Sequence, residues 1–97
     1  MEADGQSVRL DIWLWRARFI KTRAQAGRFI GKGKVRLERA GQTTRITKSH
    51  FKVRQGDRVT FLRAEQLVDV EVVALGTRRG PYSEARELYS DAGVTKD

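Results

Sequence analysis

The apolar residues at the start of the chain recur with a helical period. Leu10, Trp13, Leu14 and Ala17 stand at positions i, i+3, i+4 and i+7, which lie on one face of an α-helix. This spacing predicts a first helix that begins at Leu10 and ends at about residue 19 or 20. The same spacing assigns Trp13 to the core.

A second helix is predicted directly after the first. Thr22 and Gln25 have the spacing of a capping box, in which each side chain binds an otherwise unsatisfied backbone N–H of the first turn. Gly33 stands where a helix commonly terminates. Between these ends, the buried stripe is expected to consist of Ala26, Phe29 and Ile30.

After Val35 the apolar period changes to two, which is typical of strands. The stretch "KVRLERAGQTTRI" predicts two strands around a turn at Ala40–Gly41, and "QGDRVTFL" predicts a turn at Gly56–Asp57 followed by a strand. In "LVDVEVVAL" the valines alternate with acids, so they share the buried face of a further strand. Near the end, Ser83 is expected to cap a short helix that carries Ala85, Leu88 and Tyr89.

The order of elements predicts an α+β fold, with two N-terminal helices packed on a small, mainly antiparallel sheet and a short C-terminal helix. We expect residues 1–8 to be a disordered acidic N-terminus, residues 9–75 to be the folded domain and residues 76–97 to be an extension with the short helix. The 97 residues fit one domain.

Composition narrows the class of protein. The absence of cysteine excludes disulfides and thiolate metal sites, and the single histidine, His50, excludes a His-pair site. The start "MEADGQSV" does not resemble a signal peptide, and no apolar stretch is long enough for a membrane span. We therefore expect a cytoplasmic protein that has no metal or other cofactor.

The charge is concentrated in the middle of the chain. Residues 9–63 hold sixteen Lys or Arg and three acids, whereas residues 64–97 hold four Lys or Arg and seven acids. Between Ile12 and Leu37 there is no acid at all, so salt bridges within the second helix are excluded. Like charges held together without partners cost stability, and a bound polyanion would offset that cost.

Motifs for catalysis are missing from the sequence. No Gly-x-Ser-x-Gly pattern occurs, and "GKGKV" lacks the Gly-Lys-Ser/Thr order of a phosphate loop. Two interpretations of Trp15 stay open: it stacks on an unpaired base, or it packs on the last helix against Tyr89 or Leu88.

The basic residues suggest where a polyanion would bind. Arg18, Lys21 and Arg23 surround the junction between the two helices, where the second helix offers unsatisfied N–H groups. Arg23 and Arg28 add guanidinium groups that can hold phosphate with two hydrogen bonds. Further cations follow at Lys32, Lys34 and Lys48, and Asp11 is expected to orient Arg9 or Arg18.

The stretch "RLDIWLWRARFIKTRAQAGRFIGKGKV" resembles the S-four, or αL, RNA-binding domain family. The family pattern is matched at Arg9-Leu10-Asp11, Leu14, Thr22-Arg23, Ala26, Ile30, Gly33 and Val35. The stretch "VRQGDRVTF" resembles its closing turn and strand, and "RRGPYSEARELY" is similar to the tail of its small bacterial ribosome-associated heat-shock members. The chain departs from the pattern at "LERAGQTTRI", which is longer than the usual hairpin, and at Lys48-Ser49, where the family has Lys-x-Ser.

The resemblance implies a non-enzymatic protein that binds ribosomal RNA, on large ribosomal subunits that still carry peptidyl-tRNA, in stalled-ribosome rescue during heat shock. It implies RNA contacts at Arg9, Arg18, Lys21, Thr22, Arg23, Gln25, Arg28, Lys32, Lys34 and Lys48. A monomer is expected. Two alternatives stay open: an RNA-binding accessory subunit of an RNA-modifying enzyme, and a general RNA- or DNA-binding protein.

Overall fold

The computed structural model describes residues 6–92, in which helices precede and follow a central sheet. The elements are β1 (Val8–Arg9), α1 (Leu10–Arg16), α2 (Arg23–Gly31), β2 (Val35–Arg39), β3 (Gln42–Ile46), β4 (Lys52–Val53), β5 (Arg58–Arg63), β6 (Gln66–Val72), α3 (Tyr82–Ala85), a 3₁₀ turn (Arg86–Leu88) and β7 (Tyr89–Asp91). The predicted α+β class is confirmed.

The main sheet has the strand order β3-β2-β5-β6-β7, and every neighbouring pair is antiparallel. The β2–β3 hairpin turns at Ala40 and Gly41, both with positive φ (55° and 82°), as the sequence predicts for this position. A second small sheet pairs β1 with β4 and was not predicted. Strands of two residues are too short to show an alternating pattern.

The core lies between the helices and one face of the main sheet. The predicted helical stripes are confirmed, since Leu10, Trp13 and Leu14 of α1 and Ala26 and Ile30 of α2 are fully buried. The sheet contributes the inward residues of its central strands, namely Val35, Leu37, Val59, Phe61, Val70 and Val72. Burying this apolar face is the main stabilising contribution to a domain of this size.

The helix α1 ends at Arg16, three or four residues earlier than predicted. Arg18 adopts a left-handed backbone conformation with a φ of 65°. Its backbone N–H donates to the carbonyl oxygen of Trp15, and the backbone N–H of Phe19 donates to the carbonyl oxygen of Leu14. These two bonds form a Schellman motif, which terminates a helix. Glycine usually occupies this position, so an arginine there is no local signal for the end of a helix.

The ends predicted for α2 are confirmed in the structure. The hydroxyl oxygen of Thr22 accepts a 3.0 Å hydrogen bond from the backbone N–H of Gln25. At the other end, Gly33 has a positive φ of 75°, which terminates the helix without steric cost. The residues 23–31 therefore present a helix of defined length on the surface.

The C-terminal segment differs from its prediction in two respects. Pro81, not Ser83, is the N-cap of α3, and Ser83 makes no capping bond. Tyr89 lies in β7 instead of the helix, because residues 89–91 pair with β6 and complete the edge of the sheet. Ala85 and Leu88 are buried as predicted.

Residues 1–5 of the segment predicted to be disordered lie outside the described residues. Val8, at the end of that segment, pairs with Val53 in the small sheet. Among the helices that the structure describes, none is long and apolar enough to cross a membrane.

The environment of Gly27 predicts a stabilising substitution. A Cβ at Gly27 would lie 3.7 Å from the Cβ of Ser49, an ordinary van der Waals contact. We expect Gly27→Ala to raise the free energy of unfolding by about 0.5–1 kcal/mol, because alanine restricts the unfolded chain and favours the helix. Urea denaturation measures the change.

Gly33→Ala is the matched control. Its φ is positive and its Cβ would lie 3.2 Å from Cδ of Arg45, so the same chemical change should lower the free energy of unfolding. Destabilisation by Gly27→Ala would show that residues 47–50 pack more tightly on α2 than described.

Candidate nucleic-acid interface

The outer side of α2 carries a row of exposed polar and basic side chains. We call it the α2 face, and it consists of Lys21, Arg23, Gln25, Arg28 and Lys32. Gln25, Arg28 and Lys32 follow one another at spacings of three and four, so they lie on one line along the helix. None of the α2-face cations forms an ion pair within residues 6–92.

The opposite side of α2 fixes this face in place. Ala26 and Ile30 are fully buried, and Phe29 packs edge-on against Phe61 of β5 with ring centroids 5.6 Å apart. Because the helix is anchored to α1 and the sheet, its basic side chains project from a rigid scaffold. A rigid scaffold favours recognition of a fixed phosphate geometry.

Lys48 lies beside α2 on the turn between β3 and β4. The backbone N–H of Asp11 donates a hydrogen bond of 3.2 Å to the carbonyl oxygen of Ser49. The backbone N–H of Leu10 donates one of 2.7 Å to the carbonyl oxygen of Phe51. These bonds satisfy the first N–H groups of α1 and tie the turn to it, while Ser49 contacts α2 at Gly27. Lys48 is exposed at this turn and precedes Ser49 in the chain.

Arg9 forms an ion pair with Asp11. Its Nε and Nη2 donate to the two carboxylate oxygens of Asp11 at 3.1 and 2.8 Å, and this contact raises the pKa of Arg9. Asp11 is buried and pairs with Arg9, not with Arg18. Arg9 therefore has fewer N–H groups available for phosphate than the residues of the α2 face.

Arginine side chains fasten the segment after β6 to the end of α1. Nη1 of Arg16 donates to the carbonyl oxygens of Leu75 and Gly76, and Nε of Arg18 donates to that of Gly80 at 2.7 Å. In the reverse direction, Nη1 of Arg79 donates to the carbonyl oxygens of Trp15 and Ile20. The helix junction and the C-terminal segment therefore form one surface.

Trp15 lies at the centre of this junction. The guanidinium groups of Arg23 and Arg79 lie over its ring, 5.9 and 5.7 Å from the centroid. Of the two partners predicted for Trp15, Tyr89 packs on Phe19, with ring centroids 4.6 Å apart. Cation–π contacts hold two arginines side by side where charge repulsion would separate them.

We define the junction cluster as Arg16, Arg18, Arg23 and Arg79. None of the four forms an ion pair with an acid among the described residues. Burial lowers the pKa of Arg79, and the neighbouring charge of Arg18 lowers it further. Burial and then the charge of Arg23 lower the pKa of Arg16 in the same way. A phosphate at this cluster would reduce the repulsion that these shifts record.

The structure thus brings most of the predicted site residues together and adds two. Thr22 and the α2 face form a continuous surface with Lys48 at its side, Arg18 borders the C-terminal segment, and Lys34 follows beyond the far end of the helix. Arg16 and Arg79 were not predicted. The arginine pair in "RRGP" was the only signal for Arg79, and its contact with Trp15 spans 64 residues.

These observations define a class of protein. A rigid helix face with a concentration of cations, next to a second arginine cluster, is the electrostatic footprint of a nucleic-acid-binding module. No group of three His, Asp or Glu side chains in the described part of the chain is arranged to hold a metal ion.

Comparison with known proteins identifies the family. The model of the S4 domain matches residues 8–59. The trimeric structure of Vibrio cholerae heat shock protein 15 superimposes with a TM-score of 0.79 at 33% identity, covering 91% of this chain and 84% of that one. The chain belongs to the S4-domain family of RNA-binding proteins, in its heat shock protein 15 group.

Two curated relatives extend the comparison. Heat shock protein 15 of Escherichia coli K12 is 39% identical over 90 residues, which are 93% of this chain and 64% of that protein. The heat shock protein 15 homolog of Haemophilus influenzae is 34% identical over 86 residues, which are 89% of this chain and 62% of that protein. The chain therefore spans somewhat less than two thirds of the length of these relatives.

Reversing charge on the α2 face tests the interface. Arg23→Glu with Arg28→Glu should lower RNA affinity at least tenfold, because each removes a phosphate contact and adds repulsion. Fluorescence anisotropy with labelled RNA measures the affinity, and circular dichroism measures the fold.

Arg54→Glu with Arg86→Glu is the control, since it makes the same change in net charge at exposed positions outside the α2 face. An equal loss of affinity in both double variants would show that net charge, not the α2 face, determines binding. Unfolding of the Arg23/Arg28 variant would instead give these residues a structural role.

Salt dependence gives a second test. About six phosphate contacts predict a slope of log affinity against log salt concentration of about −4 to −5. Anisotropy titrations at several salt concentrations measure the slope. A slope near zero would mean that these cations do not contact the RNA.

Proposed function

We propose that this protein binds structured ribosomal RNA on free large ribosomal subunits that still carry peptidyl-tRNA, and that it acts in the cytoplasm without catalysing a reaction. The observation that carries the proposal is the α2 face, a rigid row of exposed cations that form no ion pair within residues 6–92. The RNA contacts proposed are those predicted from the sequence, joined by Arg79.

The geometry favours recognition of RNA shape over base sequence. The side chains of the α2 face are mainly cations on one helix, and cations contact phosphates wherever the backbone presents them. Selectivity would then come from the match between the spacing of cations on α2 and the spacing of phosphates in a folded RNA. Ribosomal RNA offers such fixed phosphate arrays on the surface of a subunit.

The ribosomal target rests on the resemblance, and the heat-shock role rests on the names of the relatives. Heat shock proteins 15 of two species share most of this chain's length, which supports a role in the heat-shock response. A free large subunit exposes RNA that the small subunit otherwise covers, and a retained peptidyl-tRNA adds further phosphates to that surface. We propose a monomer as the binding species, although the Vibrio cholerae relative forms a trimer.

Sedimentation of ribosomes tests the proposed function. With a bacterial lysate at near-physiological salt, the protein should co-sediment with free large subunits in preference to small subunits and intact ribosomes. Puromycin, which releases nascent chains, should reduce the fraction bound. The Arg23→Glu, Arg28→Glu variant should remain at the top of the gradient.

Other outcomes would support the alternatives. Equal recovery on both subunits, or no response to puromycin, would contradict the rescue role and leave a general RNA-binding protein. Equal competition by duplex DNA and ribosomal RNA would contradict selectivity for RNA.

A further inference from the structure

A groove opens between the C-terminal end of α2 and the outer face of the main sheet. Its volume is about 660 Å³, within the range of small-molecule sites. Four cations line it, namely Lys32, Lys34, Arg36 and Arg45, and its lining contains no acid. We call it the α2–sheet groove.

Two of these cations form an unfavourable pair. Arg36 of β2 and Arg45 of β3 stand directly opposite one another in the register, so both side chains lie on the same face of the sheet. Like charges directly opposite across two strands are destabilising. Cδ of Arg45 also lies only 3.2 Å from the Cβ position of Gly33, which directs this side chain toward the end of α2.

The acids on this face do not neutralise the pair. Glu38 follows Arg36 by two residues on β2 and so lies on the same face, but it forms no ion pair among the described residues. Asp69 is next to Thr60, whose neighbour across the sheet is Arg36. Both carboxylate oxygens of Asp69, however, accept hydrogen bonds from Arg58 at 2.7 and 2.6 Å. Arg36 and Arg45 therefore form no ion pair within the described residues.

The floor of the groove is apolar. Leu62 and Leu67 stand opposite one another on β5 and β6, and their side chains are 59% and 65% exposed. They are two of the four large hydrophobic residues that are exposed in residues 6–92. Phe29, held edge-on by Phe61, adds an aromatic ring to the lining.

We propose that the α2–sheet groove binds a single unpaired nucleotide of the RNA, with its phosphate between Arg36 and Arg45 and its base on Leu62, Leu67 and Phe29. The proposal rests on the proposed binding of structured RNA. Charge complementarity favours a nucleotide, because four cations and an apolar floor match a phosphate joined to a base. The groove is also continuous with the α2 face through Lys32.

Two RNA hairpins of equal stem length test the proposal, one fully paired and one with a single unpaired uridine in the stem. Anisotropy should show that the wild-type protein binds the second hairpin about tenfold more tightly, the size of one base–protein stacking contact. Leu62→Ser with Leu67→Ser should reduce this preference to less than twofold while leaving the affinity for the paired hairpin within twofold of wild type.

The control variant is Val73→Ser with Tyr82→Ser, which removes the other two exposed hydrophobic residues and lies outside the groove. It should keep the tenfold preference. Arg36→Gln with Arg45→Gln should also remove the preference, and its melting temperature should equal or exceed that of wild type, because a repulsive pair is lost.

The possible results distinguish a failure of the groove proposal from a failure of the proposed function. Equal binding of both hairpins by the wild-type protein, or a preference that persists in both groove variants, would overturn the groove proposal alone. Failure to bind either hairpin or ribosomal subunits would overturn the proposed function itself. Sedimentation equilibrium adds one further outcome: if Leu62→Ser with Leu67→Ser dissociates an oligomer of the wild-type protein, the leucines form an interface between copies and the nucleotide site is refuted.

Discussion

The left-handed backbone of Arg18 is the constraint on which the proposed RNA-binding surface depends. It ends α1 after seven residues and reverses the chain, so that α2 begins at Arg23 with Thr22 as its cap. A non-glycine residue in this conformation needs support from its surroundings. The bond from its Nε to Gly80 supplies part of that support, so the junction and the C-terminal segment stabilise one another.

That mutual support explains why the C-terminal segment borders the proposed interface. Trp13 donates its indole N–H to the carbonyl oxygen of Ala74 at 2.9 Å, and Arg16 bonds the next two carbonyls. The chain is thereby held along α1 until Arg79 reaches Trp15. The S4 model matches residues 8–59, so the segment that brings in Arg79 lies beyond the matched domain but contacts its helix junction at Trp15 and Ile20.

The sequence predicts what local periodicity and local chemistry determine. The stripes of α1 and α2, the cap at Thr22, the turn at Ala40–Gly41 and the valines of β6 depend on neighbours a few residues away. The end of α1, β7 and the contact of Arg79 depend on partners up to 64 residues distant. Pairing at that range leaves no periodic signal, so these features required the structure.

Three acids of the described residues each bind one arginine that stabilises the fold. Asp11 and Asp57 are buried, and each holds one arginine with two hydrogen bonds: Arg9 for the first and Arg39 for the second. On the outer sheet face, Asp69 does the same for Arg58. A carboxylate thus holds each of these three arginines, whereas Arg16, Arg18 and Arg79 stabilise the fold through backbone carbonyl oxygens. The cations of the α2 face, the junction cluster and the α2–sheet groove form no ion pair with an acid among the described residues, and in the proposed complexes an RNA phosphate would supply the charge that the protein does not.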